Sequence, residues 1–159
     1  MKSRIALALT TVTGLLLSTA AYPHCEIPCG IYGDRMRMDQ LEEDTRTVEK
    51  SMQQIVELSQ AETRNYNQLV RWVNNKELHA NKIQDIVYQY FMNQRIKPVT
   101  EPGAARDKYV EQLTLLHRML ITAMKCKQTT DLQYVQELRS LLADFDAAYF
   151  GTANVEHEH

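Results

Sequence analysis

Between residues 24 and 34 the chain reads His24-Cys25-Glu26-Ile27-Pro28-Cys29-Gly30-Ile31-Tyr32-Gly33-Asp34, placing two thiols, an imidazole, one proline and two glycines within eleven residues. Pro28 fixes its own φ and biases Ile27 toward extended backbone, while Gly30 can take dihedrals closed to other residues. The chain can therefore turn back and bring Cys25 near Cys29, in the shape of a hook. If proteolysis leaves His24 as the first residue, a free α-amine, an imidazole, the Cys25 amide and two thiolates converge within six residues. Zinc prefers a tetrahedron and four side-chain ligands, whereas thiolates combined with amine and amide nitrogens approaching a plane suit Ni(II) or Cu(II). A deprotonated backbone amide is a strong donor that demands square-planar geometry, which favours nickel or copper over zinc, iron or manganese. Electron-rich sulfur stabilises the higher oxidation state of such a metal, so a redox role follows more naturally than a structural one.

Whether His24 carries a free amine depends on what precedes it. Lys2 and Arg4 form a positive start, Ile5 to Leu17 form an apolar run broken only by Thr and Gly, and Ser18-Thr19-Ala20-Ala21 supply small residues for a peptidase. A membrane anchor needs about 20 apolar residues, so this shorter run reads as an export leader over residues 1–23 and not as a stable span. Thr19-x-Ala21 suits a signal peptidase yet leaves Tyr22-Pro23 in front of His24, so a second trim by a processing protease is expected. Its removal leaves 136 of the 159 residues and takes away Lys2 and Arg4 but no acid, moving the formal charge from −2 to −4. The expected location is periplasmic or extracellular, or cytoplasmic if the leader is only a maturation propeptide. With no Lys/Arg excess to neutralise phosphates, nucleic acid is excluded as a partner.

The elements that must carry the hook are helices. Met38, Leu41, Thr45, Val48, Met52, Ile55 and Leu58 follow three-and-four spacing with charged residues on the other face. A second helix is expected from about Glu62 to Asn93, with Leu69, Val73, Ala80, Ile83, Val87 and Tyr90 on one stripe, and Pro98 and Pro102-Gly103 punctuate the loop that follows. A third spans about Ala104 to Lys127 with Val110, Leu113, Leu116, Leu120 and Ala123 inward. Thr130-Asp131-Leu132-Gln133 fits a capping box for a fourth, whose Leu132, Val135, Leu138, Leu142, Phe145 and Tyr149 face inward before Gly151 ends it. No segment has strand periodicity. The expected fold is all-α, an antiparallel four-helix bundle over residues 24–159 with an irregular metal-binding hook at 24–34. The tail from Thr152 to His159 is polar.

Bundles serve many functions, so the hook decides. The stretch His24-Cys25-x-x-Pro28-Cys29-Gly30-x-Tyr32 resembles the nickel hook of nickel-containing superoxide dismutases, and Val87-Tyr88-Gln89-Tyr90-Phe91 through Lys97-Pro98 resembles the end of that family's second helix. The resemblance implies a small four-helix bundle assembled as a homohexamer, with one nickel ion per subunit cycling between +2 and +3 while superoxide is disproportionated to O2 and H2O2. It implies as ligands His24, through its α-amine and, in the oxidised state, its imidazole; Cys25, through its amide and thiolate; and Cys29, through its thiolate. Tyr32 matches the hook tyrosine that positions small anions and water, and Tyr90 resembles a second tyrosine near that pocket. Asp39, or Gln40 if the register shifts by one, matches the group that holds the imidazole, and Arg71 or Lys76 are candidates for a basic contact from the second helix.

Other readings of these residues are structural. Cys25 and Cys29 could instead form a disulfide in an exported, non-catalytic bundle that binds metal or a partner protein. Haem attachment fails on spacing, because it requires Cys-x-x-Cys-His. Cys126 reads as a semi-buried helix residue, His79 and His117 as surface or packing residues, and Met36, Met38, Met52, Met119 and Met124 as gap fillers. His157 and His159 fall in the solvated tail. Trp72, Tyr66, Tyr88 and Tyr109 are expected in the core or at subunit contacts.

Overall fold

A computed structural model describes residues 28–151. The leader, His24, Cys25 and the tail from Thr152 to His159 lie outside the described residues. Four α-helices follow the hook: α1 (Asp34–Gln60), α2 (Tyr66–Asp85), α3 (Ala104–Gln128) and α4 (Gln133–Phe150). A π-helical segment, Ile86–Arg95, continues α2 without a break.

Side-chain pairings fix the direction of every neighbouring pair. From α1 to α2, Ser51 Oγ accepts from Asn75 Nδ2 at 3.0 Å and Asp44 meets His79 at 2.5 Å, so the partner number rises as the α1 number falls. The same inversion joins α2 to α3, where Gln84 donates to Leu120 O and Lys76 reaches Lys127 O and Thr129 O. It joins α3 to α4 through Gln112 to Ala148 O and Arg118 with Glu137, and α4 back to α1 through Arg139 with Glu49 and Arg35 with Asp146. The architecture is thus the antiparallel up-down-up-down bundle. Its core is built from Leu41, Val48, Met52, Ile83, Val87, Phe91, Leu116, Met119, Leu138, Leu141 and Phe145, all essentially inaccessible to solvent.

The α1 stripe lies inward as its spacing predicts, from Met38 through Met52. Three expectations shift. Helix α2 starts at Tyr66, not near Glu62, because the Asn65 side chain caps it by accepting from Gln68 N at 3.1 Å. Its inward face at that end runs through half-buried Leu69 and Trp72 and buried Lys76, leaving Tyr66, Val70 and Val73 exposed. On α3 the expected Leu116 and Ala123 are fully buried and Leu113 and Leu120 pack on the core, but Val110 is exposed and the buried face also takes in Gln112, Leu115, Met119, Thr122 and Cys126. Leucines occupy both flanks of that face, so the apolar period alone does not locate its centre. The capping box before α4 is replaced by Asp131, whose Oδ1 accepts from Gln133 N, and by Thr129, whose Oγ1 accepts from Asp131 N. Gly151 ends α4 at φ 84° with its N–H on Ala147 O, as its position predicts. Of the expected contact residues, Tyr109 packs on the core, whereas Tyr66 and Tyr88 are exposed. Among the described residues no helix is long and apolar enough to cross a membrane.

Candidate metal centre

The amino terminus of α1, the π-helical end of α2 and the carboxyl terminus of α4 meet at one end of the bundle, and their meeting point is a carboxylate. Asp34, the first residue of α1, accepts from the Tyr90 hydroxyl on Oδ1 at 2.6 Å. Its Oδ2 accepts from the Tyr149 hydroxyl at 2.8 Å and from Arg95 Nη2 at 2.7 Å. The Tyr90 oxygen in turn accepts the backbone N–H of Gly33 at 2.9 Å. The chain entering α1 is therefore held by a tyrosine from the second element, an arginine from the same element and a tyrosine from the fourth.

The π winding explains how one segment supplies two of those groups. In an α-helix, residues five apart lie about 140° apart around the axis. In a π-helix the i→i+5 hydrogen bond stacks them, so Tyr90 and Arg95 share a face and both reach Asp34. The same winding is visible where Ile96 N donates to Phe91 O at 2.8 Å and where Gln94 Nε2 donates to Gln89 O at 3.0 Å. Phe91, one residue on, turns inward and packs edge-on against Tyr90, Phe145 and Tyr149.

Tyr32 lies on this cluster. Its ring meets Tyr90 edge-to-face at 6.0 Å, and the Arg95 guanidinium carbon sits 4.2 Å from its centroid. Arg37 lies over the other tyrosine, 5.2 Å from the Tyr90 centroid. Tyr32 is 41% exposed, whereas Tyr90 is 3% exposed. The two tyrosines named from the sequence are thus adjacent, one open to solvent and the other buried beneath it.

The cluster perturbs its own titration. Burial pushes the Asp34 carboxyl up, but the hydrogen bonds from Arg95, Tyr90 and Tyr149 outweigh it and hold the group below its ordinary value. Burial, reinforced by the bond to the Asp34 carboxylate, pushes the Tyr90 phenol up, and the same causes push Tyr149 up to about 12. Arg95 is held in its charged form chiefly by the hydrogen bond to Asp34.

Cys29 is exposed at a bend, and Gly30 beside it takes φ 75°, the left-handed geometry that the sequence assigns to the hook turn. Among the described residues no group of three or more His, Cys, Asp or Glu side chains is arranged to hold a metal. Cys29 is an exposed soft donor of a kind that nickel accepts, and His24 and Cys25 lie outside the described residues. Asp39 is exposed on α1, while Gln40 is half-buried and accepts from Arg37 Nη1 at 2.8 Å. Of the two basic candidates, Arg71 is exposed and Lys76 is buried, its ammonium bonded to the carbonyls of Lys127 and Thr129 at the end of α3. Lys76 therefore caps a helix, and the second element's cation at Tyr32 is Arg95. Sequence reasoning missed Asp34, Arg95 and Tyr149, because they converge only through the π turn and the return of α4.

A family model described as nickel-containing superoxide dismutase matches residues 18–153, most of the chain. The chain belongs to the nickel-containing superoxide dismutase family. No curated protein and no solved structure matches it. As a nickel superoxide dismutase it is an oxidoreductase that uses nickel and takes superoxide as substrate. The family match favours catalysis over a non-catalytic bundle with a Cys25–Cys29 disulfide.

Proposed function

We propose that this superoxide dismutase assembles its metal centre at the amino terminus of a processed chain, with His24, Cys25 and Cys29 as the nickel ligands. Removal of residues 1–23 frees the His24 α-amine. That amine, the His24 imidazole, the Cys25 amide and thiolate and the Cys29 thiolate then form the donor set. Bound there, nickel supplies the one-electron couple needed to oxidise one superoxide and reduce the next.

The chain's own residues have three tasks. The exposed Tyr32 orients a small anion and water, with Tyr90 packed against it fixing its plane. Asp39, exposed on α1, is the candidate partner of the His24 imidazole. Water at the Tyr32 hydroxyl carries the two protons that reduction of superoxide to peroxide consumes. Because the substrate is a small anion, hydrogen-bond donors and local positive charge matter more than a deep cleft. Export by the leader places the enzyme in the periplasm or outside the cell, and burial of the hook between subunits of a homohexamer accounts for how so short a segment keeps its metal.

The observation that carries this reading is the family match over residues 18–153, supported by the tyrosine pair, the half-open Tyr32 packed on the buried Tyr90. Cys25→Ser and Cys29→Ser each test it. Loss of both nickel and superoxide dismutation, with helical content unchanged, is expected; nickel bound at full occupancy in either variant contradicts the ligand assignment.

A further inference from the structure

We infer that Arg95 is a positioning residue for Tyr32, acting through the ring face and through Asp34; the inference rests on the role given to Tyr32 above. Two contacts hold the ring of this half-exposed tyrosine, and two more hold the backbone that follows it. The Arg95 guanidinium lies 4.2 Å from the ring centroid and Tyr90 abuts the ring edge. The next backbone N–H, that of Gly33, is bonded to the Tyr90 oxygen. Two residues on, Asp34 is tied to Arg95, Tyr90 and Tyr149.

Arg95 is the member that touches both the ring and the anchor. Its Nη2 is spent on Asp34, and its Nε is buried with no hydrogen-bond partner. A buried guanidinium donor left unpaired costs free energy that another orientation would recover. Its retention here fits a side chain held for the stack rather than for its own hydrogen bonding. A planar guanidinium can lie flat on a phenol ring while forking to a carboxylate; an ammonium can pair with the carboxylate but cannot stack in the same way. The π winding is what delivers Arg95 to this place, five residues after Tyr90.

Arg95→Lys and Arg95→Gln, alone and with Tyr32→Phe, test the inference in the nickel-loaded enzyme and in the metal-free chain. A displacement of about 1 Å costs on the order of 100-fold in rate. Each Arg95 variant is therefore expected to lower kcat/KM for superoxide roughly 10- to 100-fold, with helical content retained. In the metal-free chain the Tyr32 ring resonance, assigned by its loss in Tyr32→Phe, is expected to move in both variants. Once Tyr32→Phe is in place, the Arg95 changes should add nothing further to the loss. Full additivity on the Tyr32→Phe background, or an unmoved Tyr32 resonance, overturns the positioning role. Unchanged activity in Tyr32→Phe itself overturns instead the role given to Tyr32, and with the resonance still shifted in Arg95→Lys the two failures are distinguished.

Discussion

Asp34 concentrates more of the site than any other residue. It faces one guanidinium and two phenols, so its removal leaves three donors without an acceptor. Hydrogen bonds to a charged group contribute about 1.5–3 kcal/mol each, not additively. Asp34→Asn is accordingly expected to cost about 2–3 kcal/mol in urea unfolding and to release the entry to α1. The sign of its pH dependence follows from a folded-state value held below the ordinary one. Its stabilisation is present above the ordinary carboxylate range and is lost as pH falls through the lower, folded value. Tyr149 acts at the opposite limb. Raised to about 12 from an ordinary value of 10, it contributes stability that is complete below pH 10 and lost as pH rises to about 12. Tyr149→Phe should flatten this alkaline loss in a thermal-denaturation series; a loss of the same steepness in the variant contradicts the assignment.

At the scale of elements, the helices were legible because each carries a three-and-four apolar rhythm, and Gly151 marks the end of α4. Two things were not legible. The face of α3 was blurred by leucines at Leu113, Leu115, Leu116 and Leu120, so packing against α2 and α4 and not the pattern adds Leu115, Met119 and Cys126 to Leu116 and Ala123 in the inward set. The change from α to π winding at Ile86 leaves no compositional mark, yet it decides that Tyr90 and Arg95 point the same way. Lys76 illustrates the same limit: a lysine at helix spacing reads as solvated, but its ammonium is buried against the last carbonyls of α3. Burial depresses its titration, and the carbonyls compensate for the lost water. Lys76→Met is expected to leave those carbonyls unpaired and to lower stability by about 2 kcal/mol without altering superoxide turnover. An equal loss of turnover would mean that Lys76 reaches the metal centre.

At the scale of the molecule, the bundle brings together the amino-terminal end of α1, the π-helical end of α2 and the carboxyl end of α4 around Asp34. The aromatic cluster of Tyr32, Tyr90, Phe91, Phe145 and Tyr149 ties these ends together. The proposed metal ligands His24, Cys25 and Cys29 are read from residue types and spacing in the sequence, whereas the Asp34 cluster required the fold. In the proposed donor set, any residue left before His24 would convert its α-amine into an amide and remove that ligand. The most direct measurement compares nickel content and superoxide dismutation in a chain beginning at His24 with those in a chain beginning at Tyr22. The account predicts one nickel per chain and full activity for the first, and neither for the second. Full activity with Tyr22-Pro23 still attached, or zinc bound with no dismutation in the chain beginning at His24, would contradict it.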